Sequence, residues 1–285
     1  RNEAAGTITF TVTLDAPSAL AVSVDYATVA GTATGADYAA GVDGLSGTLS
    51  FAAGVTSQTI TLAIVDDAVF EASESFVINL SNAVNAALGD GQGVGTIRDD
   101  GTGGGGTDDD TPSLSVSGAA VIEGTDNFAV FTVSLSNAST SDVSFNLALA
   151  NSTALGGGVD YGTGGAGNLQ VFVGGVWVDA ASATLAAGQT SVQVRTPVSD
   201  DLLDEAAESF TLTVAVTAGT TSNASAAGTG TIGDNDGAPS VTIDDVTRNE
   251  AAGTITFTVT LDAPSALAVS VDYATVAGTA TGADY

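Results

Sequence analysis

The chain has no cysteine, no lysine and no histidine. Disulfide bonds and lysine isopeptide cross-links are therefore excluded as a means of stabilising the fold. The same absences exclude a Ser-His-Asp triad, a thiol nucleophile and a Schiff-base lysine. Paired carboxylates of the glycosidase type are the catalytic groups left, and one tryptophan with five tyrosines offers few platforms for a sugar. We therefore expect that the protein is not an enzyme.

Positive charge is almost absent as well. Four arginines face 33 acidic residues, which gives a formal net charge of −29. Such a chain repels phosphate backbones and anionic headgroups, so nucleic acid is excluded as a partner and cations are the natural ligands. No apolar run approaches the ~18 residues that span a bilayer, so membrane insertion is not expected. Any targeting signal is expected to lie outside this sequence.

The most informative feature that is present is a repeat. Residues 1–38 recur without change as residues 248–285, which sets a period of 247 residues. A fixed period of this kind indicates a tandem array in which each repeat is a structural unit. Two modules fit into one period, and neighbouring repeats of the same chain are expected to contact each other, with lateral self-association left open.

Apolar and polar residues alternate strictly over residues 7–14, which is typical of a half-buried strand. Similar runs recur about every ten residues and are separated by Gly, Asp, Asn and Ser. This spacing predicts an all-β chain of tandem immunoglobulin-like antiparallel β-sandwiches. The predicted divisions are module 1 (1–100), a Gly/Asp-rich linker (101–111), module 2 (112–236) and the partial start of a further module 1 (237–285).

The two modules differ in two respects. Module 2 contains the run Val171–Val178 with a central Gly-Gly pair, which predicts an inserted hairpin with a primed turn. Module 1 lacks the first strand that residues 240–246 supply ahead of the repeated block. One explanation is that residues 240–246 of another chain complete module 1. A continuous array is the simpler explanation, because residues 248–285 duplicate residues 1–38 and would compete with them for the same strand.

The carboxylates recur in the same order relative to the strands of both modules. We single out as candidate metal ligands Glu3, Asp37, Asp66, Asp67, Glu71, Glu74, Asp99 and Asp100 in module 1, Glu123, Asp160, Asp200, Asp201, Glu205, Glu208, Asp234 and Asp236 in module 2, and Glu250 and Asp284 in the partial module. Calcium takes six to eight oxygen ligands, and the loops at one end of a sandwich meet in space. The pattern therefore favours calcium sites over solvated acidic loops.

These residues resemble the Calx-β family in the opening Glu, the Asp-Tyr pair, the Asp-Asp-x₃-Glu-x₂-Glu-x-Phe segment and the acidic terminus. The resemblance implies an immunoglobulin-like sandwich that binds calcium at its distal loops. It also implies that Val69 and Leu203 contribute backbone carbonyls as ligands. The terminal runs, Asp99-Asp100-Gly101 and Asp234-Asn235-Asp236, differ from the three acidic residues that the family often has, which leaves the number of ions per module open.

The function expected from these observations is that of a calcium-stabilised structural repeat. It would act as an extender or stalk of a large secreted adhesin or extracellular filament, at the cell surface or outside the cell. The alternative is a module that binds carbohydrate or protein through Phe172 and Trp177 of the hairpin. The competing interpretation of Trp177, the only tryptophan, is that it covers its own sandwich.

Overall fold

The computed structural model describes residues 1–99, 110–163 and 168–285. Short strands are the main regular structure of the described chain, with two single-turn 3₁₀ helices at Glu3–Ala5 and Glu250–Ala252. Its described residues include no helix with the length and hydrophobicity needed to cross a lipid bilayer. The predicted all-β fold class is confirmed.

Module 1 is a sandwich of two sheets with a shared apolar core. Its strands are β1 (Thr7–Thr13), β2 (Val22–Ala30), β3 (Tyr38–Ala39), β4 (Ser46–Phe51), β5 (Ser57–Ile64), β6 (Glu74–Val84) and β7 (Gln92–Ile97). One sheet has the order β1-β5-β3 and the other β4-β2-β6-β7. Alternate residues of β5, such as Ile60 and Leu62, are fully buried, as expected for a strand with one face on the core.

Module 2 repeats this plan with additional strands at its edges. Its strands are β8 (Leu114–Val116), β9 (Ala119–Ile122), β10 (Phe128–Leu135), β11 (Val143–Asn151), β12 (Gln170–Val173), β13 (Val176–Asp179), β14 (Ser182–Leu185), β15 (Ser191–Pro197), β16 (Glu208–Ala218) and β17 (Ser225–Gly233). The two sheets have the orders β13-β12-β15-β10-β8 and β14-β11-β16-β17-β9. The opening segment of module 2, which contains β8 and β9, thus contributes one strand to each sheet. β8 pairs with β10, whereas β9 pairs with β17 in parallel.

The predicted hairpin is present as β12 and β13. Its turn residues Gly174 and Gly175 both have positive φ, +60° and +88°, as a type I′ turn requires. β12 pairs with β15, so the hairpin widens one sheet of module 2. The partial module at residues 237–285 contains two strands, β18 (Val241–Ile243) and β19 (Val259–Leu261). They pair with each other as a two-stranded antiparallel ladder.

Candidate functional site

An aromatic stack in each core positions two of the predicted ligands. The Tyr38 ring stacks on Phe76 with a centroid distance of 4.2 Å, and both residues are buried. Asp37 precedes Tyr38 and Glu74 lies two residues before Phe76, so the stack holds both carboxylates at the same pole. In module 2, Tyr161 stacks on Phe210 at 4.0 Å and places Asp160 near Glu208 in the same way.

A set of hydrogen bonds holds the opening glutamate beside the acidic terminus. The Glu3 N–H donates to the carbonyl of Arg98 at 3.0 Å, and the Asn2 side chain donates to the carbonyl of Asp99 at 2.9 Å. In module 2 the Glu123 N–H donates in the same manner to the carbonyl of Gly233 at 3.1 Å. These hydrogen bonds attach the first residues of each module to the end of its last strand. The opening glutamate and the acidic terminus of the module are thereby brought together.

These contacts gather the carboxylates into two triads in each module. In every triad, one potential ligand atom from each residue lies within 4.8 Å of the other two. The terminal triads are Glu3, Asp99 and Asp110 in module 1 and Glu123, Asp234 and Asp236 in module 2. The segment triads are Asp37, Glu71 and Glu74 in module 1 and Asp160, Glu205 and Glu208 in module 2.

The two triads of a module are neighbours. The Glu71 N–H donates to the Asp99 carboxylate at 3.0 Å, which joins the segment triad to the terminal triad. The equivalent bond from Glu205 to Asp234 measures 3.1 Å. In module 2, carboxylates of both triads line one small cavity of about 10 Å³, roughly the space that a single water-sized particle needs.

The electrostatics of the triads are unfavourable for bare carboxylates. Burial, with the neighbouring carboxylates of Asp99 and Glu71, raises the pKa of Glu3 to about 8. Burial raises the pKa of Glu74 to about 7, assisted by a hydrogen bond and charge repulsion from Asp37. In module 2, burial likewise raises the pKa values of Glu123 and Glu208 to about 7, assisted by Asp234 and Asp160 respectively. A bound cation would remove this repulsion.

The donor set fits calcium. It consists of carboxylate oxygens, and two of the triads include buried oxygens without a hydrogen-bond partner: Oε2 of Glu74 in the segment triad of module 1, and Oε1 of Glu123 and Oδ2 of Asp236 in the terminal triad of module 2. Buried acceptors that are left without donors are costly unless a cation or water serves them. Six carboxylate oxygens per triad approach the six to eight ligands that calcium takes.

The remaining predicted ligands lie at or outside the rim of these triads. Asp67 accepts the N–H of Val69, and Asp201 accepts that of Leu203, each at 2.8 Å. Both aspartates are close enough to raise the pKa of the opening glutamate, as minor contributors. Asp66 belongs to no triad formed by the described residues, and Asp200 lies 3.4 Å from the side-chain amide of Asn235.

Other predicted ligands fall outside the four triads. Asp100 lies outside the described residues. Glu250 is exposed, and Asp284 accepts the N–H and hydroxyl of Thr281. Neither belongs to a triad among the described residues, because the loops that supply partners in modules 1 and 2 have no counterpart within residues 248–285.

Asp110 is a site residue that the sequence reasoning missed, since it was assigned to the linker. It is buried and completes the terminal triad of module 1, where Asp236 has the same place in module 2. A signal was available in the sequence. Each residue stands two or three positions ahead of the proline that opens the next first strand, Pro112 and Pro239.

The acidic pole of each module also contacts the module that follows. The Phe70 N–H donates to the carbonyl of Ala138, and the Thr140 N–H donates to the carbonyl of Phe70, both at 2.9 Å. At the next joint, the Ala266 N–H donates to the carbonyl of Asp204 at 3.0 Å. Phe70 and Asp204 occupy the same position in the acidic segment, so the two joints share one contact. Asn137 of module 2 additionally donates to the backbone carbonyl of Asp110.

The second predicted contact surface is partly covered. Trp177 is half-buried, and the guanidinium of Arg195 lies 4.3 Å from its ring centroid. Phe172 is 39% exposed and packs against Trp177 at 5.1 Å. The role of these two residues in binding a partner stays a prediction.

The family model described as "Calx-beta domain" matches residues 1–101, 107–176 and 234–285. Similar solved structures include the calcium binding domain CBD12 of CALX1.1, with 21% identity over 75% of each chain and a TM-score of 0.32. The apo form of the Calx CBD1 domain has 33% identity over 35% of this chain and 87% of that chain, with a TM-score of 0.31.

A further similar structure is the CupB6 tip adhesin from Pseudomonas aeruginosa, with 10% identity over 81% of this chain and 90% of that chain and a TM-score of 0.31. No curated protein matches the sequence.

Proposed function

Because the chain belongs to the Calx-beta family, we propose that it is a calcium-stabilised structural repeat. In this proposal it extends a large secreted surface protein, such as an adhesin, or an extracellular filament. Calcium would be held by the terminal and segment triads of each module. Carboxylates act here as ligands rather than as catalytic acids or bases.

The observation that carries the proposal is the position of Asp110. Its carboxylate belongs to the terminal triad of module 1, whereas its backbone carbonyl accepts a hydrogen bond from Asn137 of module 2. A cation on this triad would therefore hold the connection between two modules as well as the loops of one. The use of one backbone contact at both joints supports an extender, because a repeated joint gives an array a regular course.

Calcium would stabilise a fold whose composition excludes disulfide bonds and lysine isopeptide cross-links. The chain has neither cysteine nor lysine for covalent reinforcement. An ion that binds the folded state alone contributes about 2.7 kcal/mol per site at a hundredfold excess over its Kd. For a domain of 60–100 residues, each kcal/mol shifts the melting temperature by about 4–8 °C. One site per module would thus raise the melting temperature by roughly 10 °C or more.

A calorimetric melt of the whole chain tests the proposal. We expect a higher melting temperature in calcium than in chelator, and a smaller increase in magnesium, since magnesium dehydrates reluctantly and demands an octahedral shell. Titration calorimetry should detect bound calcium. Equal melting temperatures in calcium and chelator, together with no heat of binding, would contradict the proposal and leave an acidic sandwich.

A second candidate function is recognition through the hairpin. The observation in its favour is that Phe172 is 39% exposed and lies opposite Trp177 on one face of the hairpin, with the two rings 5.1 Å apart. Acrylamide quenching of Trp177 in the presence of candidate glycans would test it. Binding should protect the tryptophan and should be lost in Phe172→Ser, whereas unchanged quenching across glycans would count against this function.

A further inference from the structure

The outer face of one sheet of module 2 carries an arginine where module 1 has a threonine. In module 1, Thr9 of β1 lies opposite Thr61 of β5, and their two hydroxyl oxygens are 3.2 Å apart. The pair at the same place in module 2 is Val130 of β10 opposite Arg195 of β15. Since module 1 builds the same kind of sandwich with threonines on this face, the fold itself does not require the arginine.

Two aromatic rings hold the guanidinium of Arg195 in place. Its central carbon lies 3.6 Å from the ring centroid of Phe128 in β10 and 4.3 Å from that of Trp177 in the inserted hairpin. A cation at this distance is attracted by the electron-rich face of a ring. The N–H groups of a guanidinium lie in its own plane, so contact with a ring face fixes the group without using its hydrogen-bond donors.

A hydrogen-bond relay occupies one donor of Arg195 and leaves the others. Nε of Arg195 donates to Oε1 of Gln170 at 2.8 Å, and Nε2 of Gln170 donates to the Asp179 carboxylate at 2.8 Å. Asp179 thereby fixes the orientation of the Gln170 amide, and through it the plane of the guanidinium. The two terminal nitrogens of Arg195 have no hydrogen-bond partner and no ion pair within the described part of the chain. These nitrogens form a fork that matches the two oxygens of a carboxylate.

The charge of Arg195 is not neutralised by its own module. Arg195 is the only basic residue between positions 112 and 236, in a chain with 33 acidic residues. Asp179 lies on the same face, but its carboxylate accepts from Gln170 and forms no ion pair with the arginine among the described residues. The fork of Arg195 therefore complements an anionic group that comes from outside the module.

Phe172 supplies an apolar surface on the same face. It lies opposite Trp177 in the hairpin, its side chain is 39% exposed, and the two ring centroids are 5.1 Å apart. Trp177 contacts both Phe172 and Arg195, so the rings and the fork form one continuous surface. The C–H groups on one face of a sugar ring pack well against an exposed aromatic ring, whereas the acidic side chain of a protein offers no comparable face. This combination favours a carboxylated sugar over an acidic peptide.

We propose that this face of module 2, the arginine platform, binds a uronic acid unit of a polysaccharide. The residues of the arginine platform are Phe128, Gln170, Phe172, Trp177, Asp179 and Arg195. The sugar carboxylate accepts two hydrogen bonds from the terminal nitrogens of Arg195, and the sugar ring packs on Phe172. The proposal rests on the recognition function of the hairpin and does not depend on calcium. In a tandem array the platform recurs every 247 residues, so a polymer of uronic acids would engage several copies at once and gain avidity.

Fluorescence of Trp177, the only tryptophan, reports directly on the platform. The full 285-residue chain is titrated in calcium with an oligomer of glucuronic acid, and separately with the same oligomer after reduction of each carboxyl group to an alcohol. We expect a saturable change in emission with the acidic oligomer. The reduced oligomer should bind at least about tenfold more weakly, because it loses the charge-assisted hydrogen bonds from Arg195.

Two pairs of variants test the fork and the ring separately. Arg195→Lys keeps the charge but removes the planar fork, so affinity for the acidic oligomer should fall by at least about tenfold. Gln193→Ala, at an exposed position two residues away on the same face of β15, should bind like the parent chain. Phe172→Ser should weaken both oligomers, whereas Val173→Ser, on the opposite face of the hairpin, should weaken neither. Melting curves from circular dichroism verify that each variant is folded.

Four results would overturn the proposal. Equal affinity for the acidic and the reduced oligomer would keep glycan recognition by the hairpin but remove the carboxylate from Arg195. A response to neither oligomer would exclude the platform as a uronic acid site, while the melts in calcium and chelator decide the structural-repeat function independently. Acidic-oligomer binding that survives Arg195→Lys and is lost in chelator would place the carboxylates on calcium. A glutamate-rich peptide that binds as tightly as the acidic oligomer would mean that the occupant is a protein.

Discussion

The raised carboxyl pKa values link the stability of each sandwich to pH. Glu3 has a pKa of about 8 in the folded chain, against 4.5 as its ordinary value, and Glu74, Glu123 and Glu208 have values of about 7. At pH values between the ordinary pKa and the raised pKa, these glutamates are protonated in the folded chain and ionised in the unfolded chain. The free energy of unfolding therefore decreases as pH rises from about 4.5 to about 8.

We accordingly expect the chain in chelator to have a higher melting temperature at pH 5 than at pH 8. In saturating calcium this decline should shrink or reverse, because the ion binds the deprotonated carboxylates in place of protons. Calorimetric melts at four pH values between 5 and 8, with and without calcium, measure the effect. A melting temperature in chelator that rises over this interval would contradict the burial of the four glutamates.

Single neutral substitutions separate ligand function from charge. Glu74→Gln and Glu208→Gln each remove one carboxylate from a segment triad. We expect calcium affinity to fall by about tenfold or more, which corresponds to about 1.4 kcal/mol. In chelator the same variants should be at least as stable as the parent chain at pH 8, because a repelling charge has been removed.

Asp15→Asn is the control for these variants, since Asp15 is exposed and follows the opposite end of β1. It removes one negative charge without touching a triad, so calcium affinity should stay at the parent value. If Glu74→Gln and Asp15→Asn changed calcium affinity equally, the effect would be one of net charge and the segment triad would not be the binding site.

At the residue scale, the spacing of the carboxylates together with the resemblance to the Calx-β family singled out most of the residues that form the triads. The Asp-Tyr pair and the Glu-x₂-Glu-x-Phe run are informative because an aromatic core residue fixes the position of the adjacent carboxylate. Asp110 was missed because eleven positions separate it from Asp99 in sequence, whereas Asp236 follows Asp234 by two. Proximity in space across such a segment leaves no periodic signal in the sequence.

At the scale of elements, alternation predicted the long strands and failed for the short ones. The strictly alternating run at residues 7–14 agrees with the observed β1 to within a residue. β3 and β9 were not predicted, because two to four residues are too few for a period to be recognised. β9 also pairs in parallel with β17, a topology that depends on a crossing of the first segment between sheets.

The joint between the modules yields a prediction at this scale. Asn137→Ala removes the donor to the Asp110 carbonyl while leaving every carboxylate in place. A lost hydrogen bond costs about 0.5–1.5 kcal/mol, so calcium affinity at the terminal triad of module 1 should fall by up to about tenfold. Titration calorimetry measures the change.

Asn146→Ala, at an exposed position of β11, is the matched control. It should leave calcium binding unchanged. Equal affinities in Asn137→Ala and the parent chain would mean that the terminal triad binds independently of the joint, and the proposed link between ion binding and module contact would fail.

At the scale of the whole molecule, two successive joints use equivalent backbone atoms. Phe70 contacts the segment at Ser139, and Asp204 contacts the segment at Ser265, in each case from the acidic pole of one module to the loop after the first long strand of the next. Within one module, the acidic pole and the loop after the first long strand lie at opposite ends of that strand. Modules joined in this way follow one another end to end, and side-by-side packing would use different surfaces.

Small-angle X-ray scattering tests the resulting shape. A compact chain of 285 residues would have a radius of gyration of about 19 Å, whereas a rod of two modules, each about 40 Å long when strands rise ~3.3 Å per residue, gives a larger value. We expect a radius of gyration clearly above the compact value in calcium, with a narrow distribution of distances. In chelator the carboxylates at the joints repel one another, so the distribution should broaden while the strand signal in circular dichroism persists. A radius of gyration near 19 Å in calcium would exclude the end-to-end arrangement, and with it the extender role, even if calcium binding itself were intact.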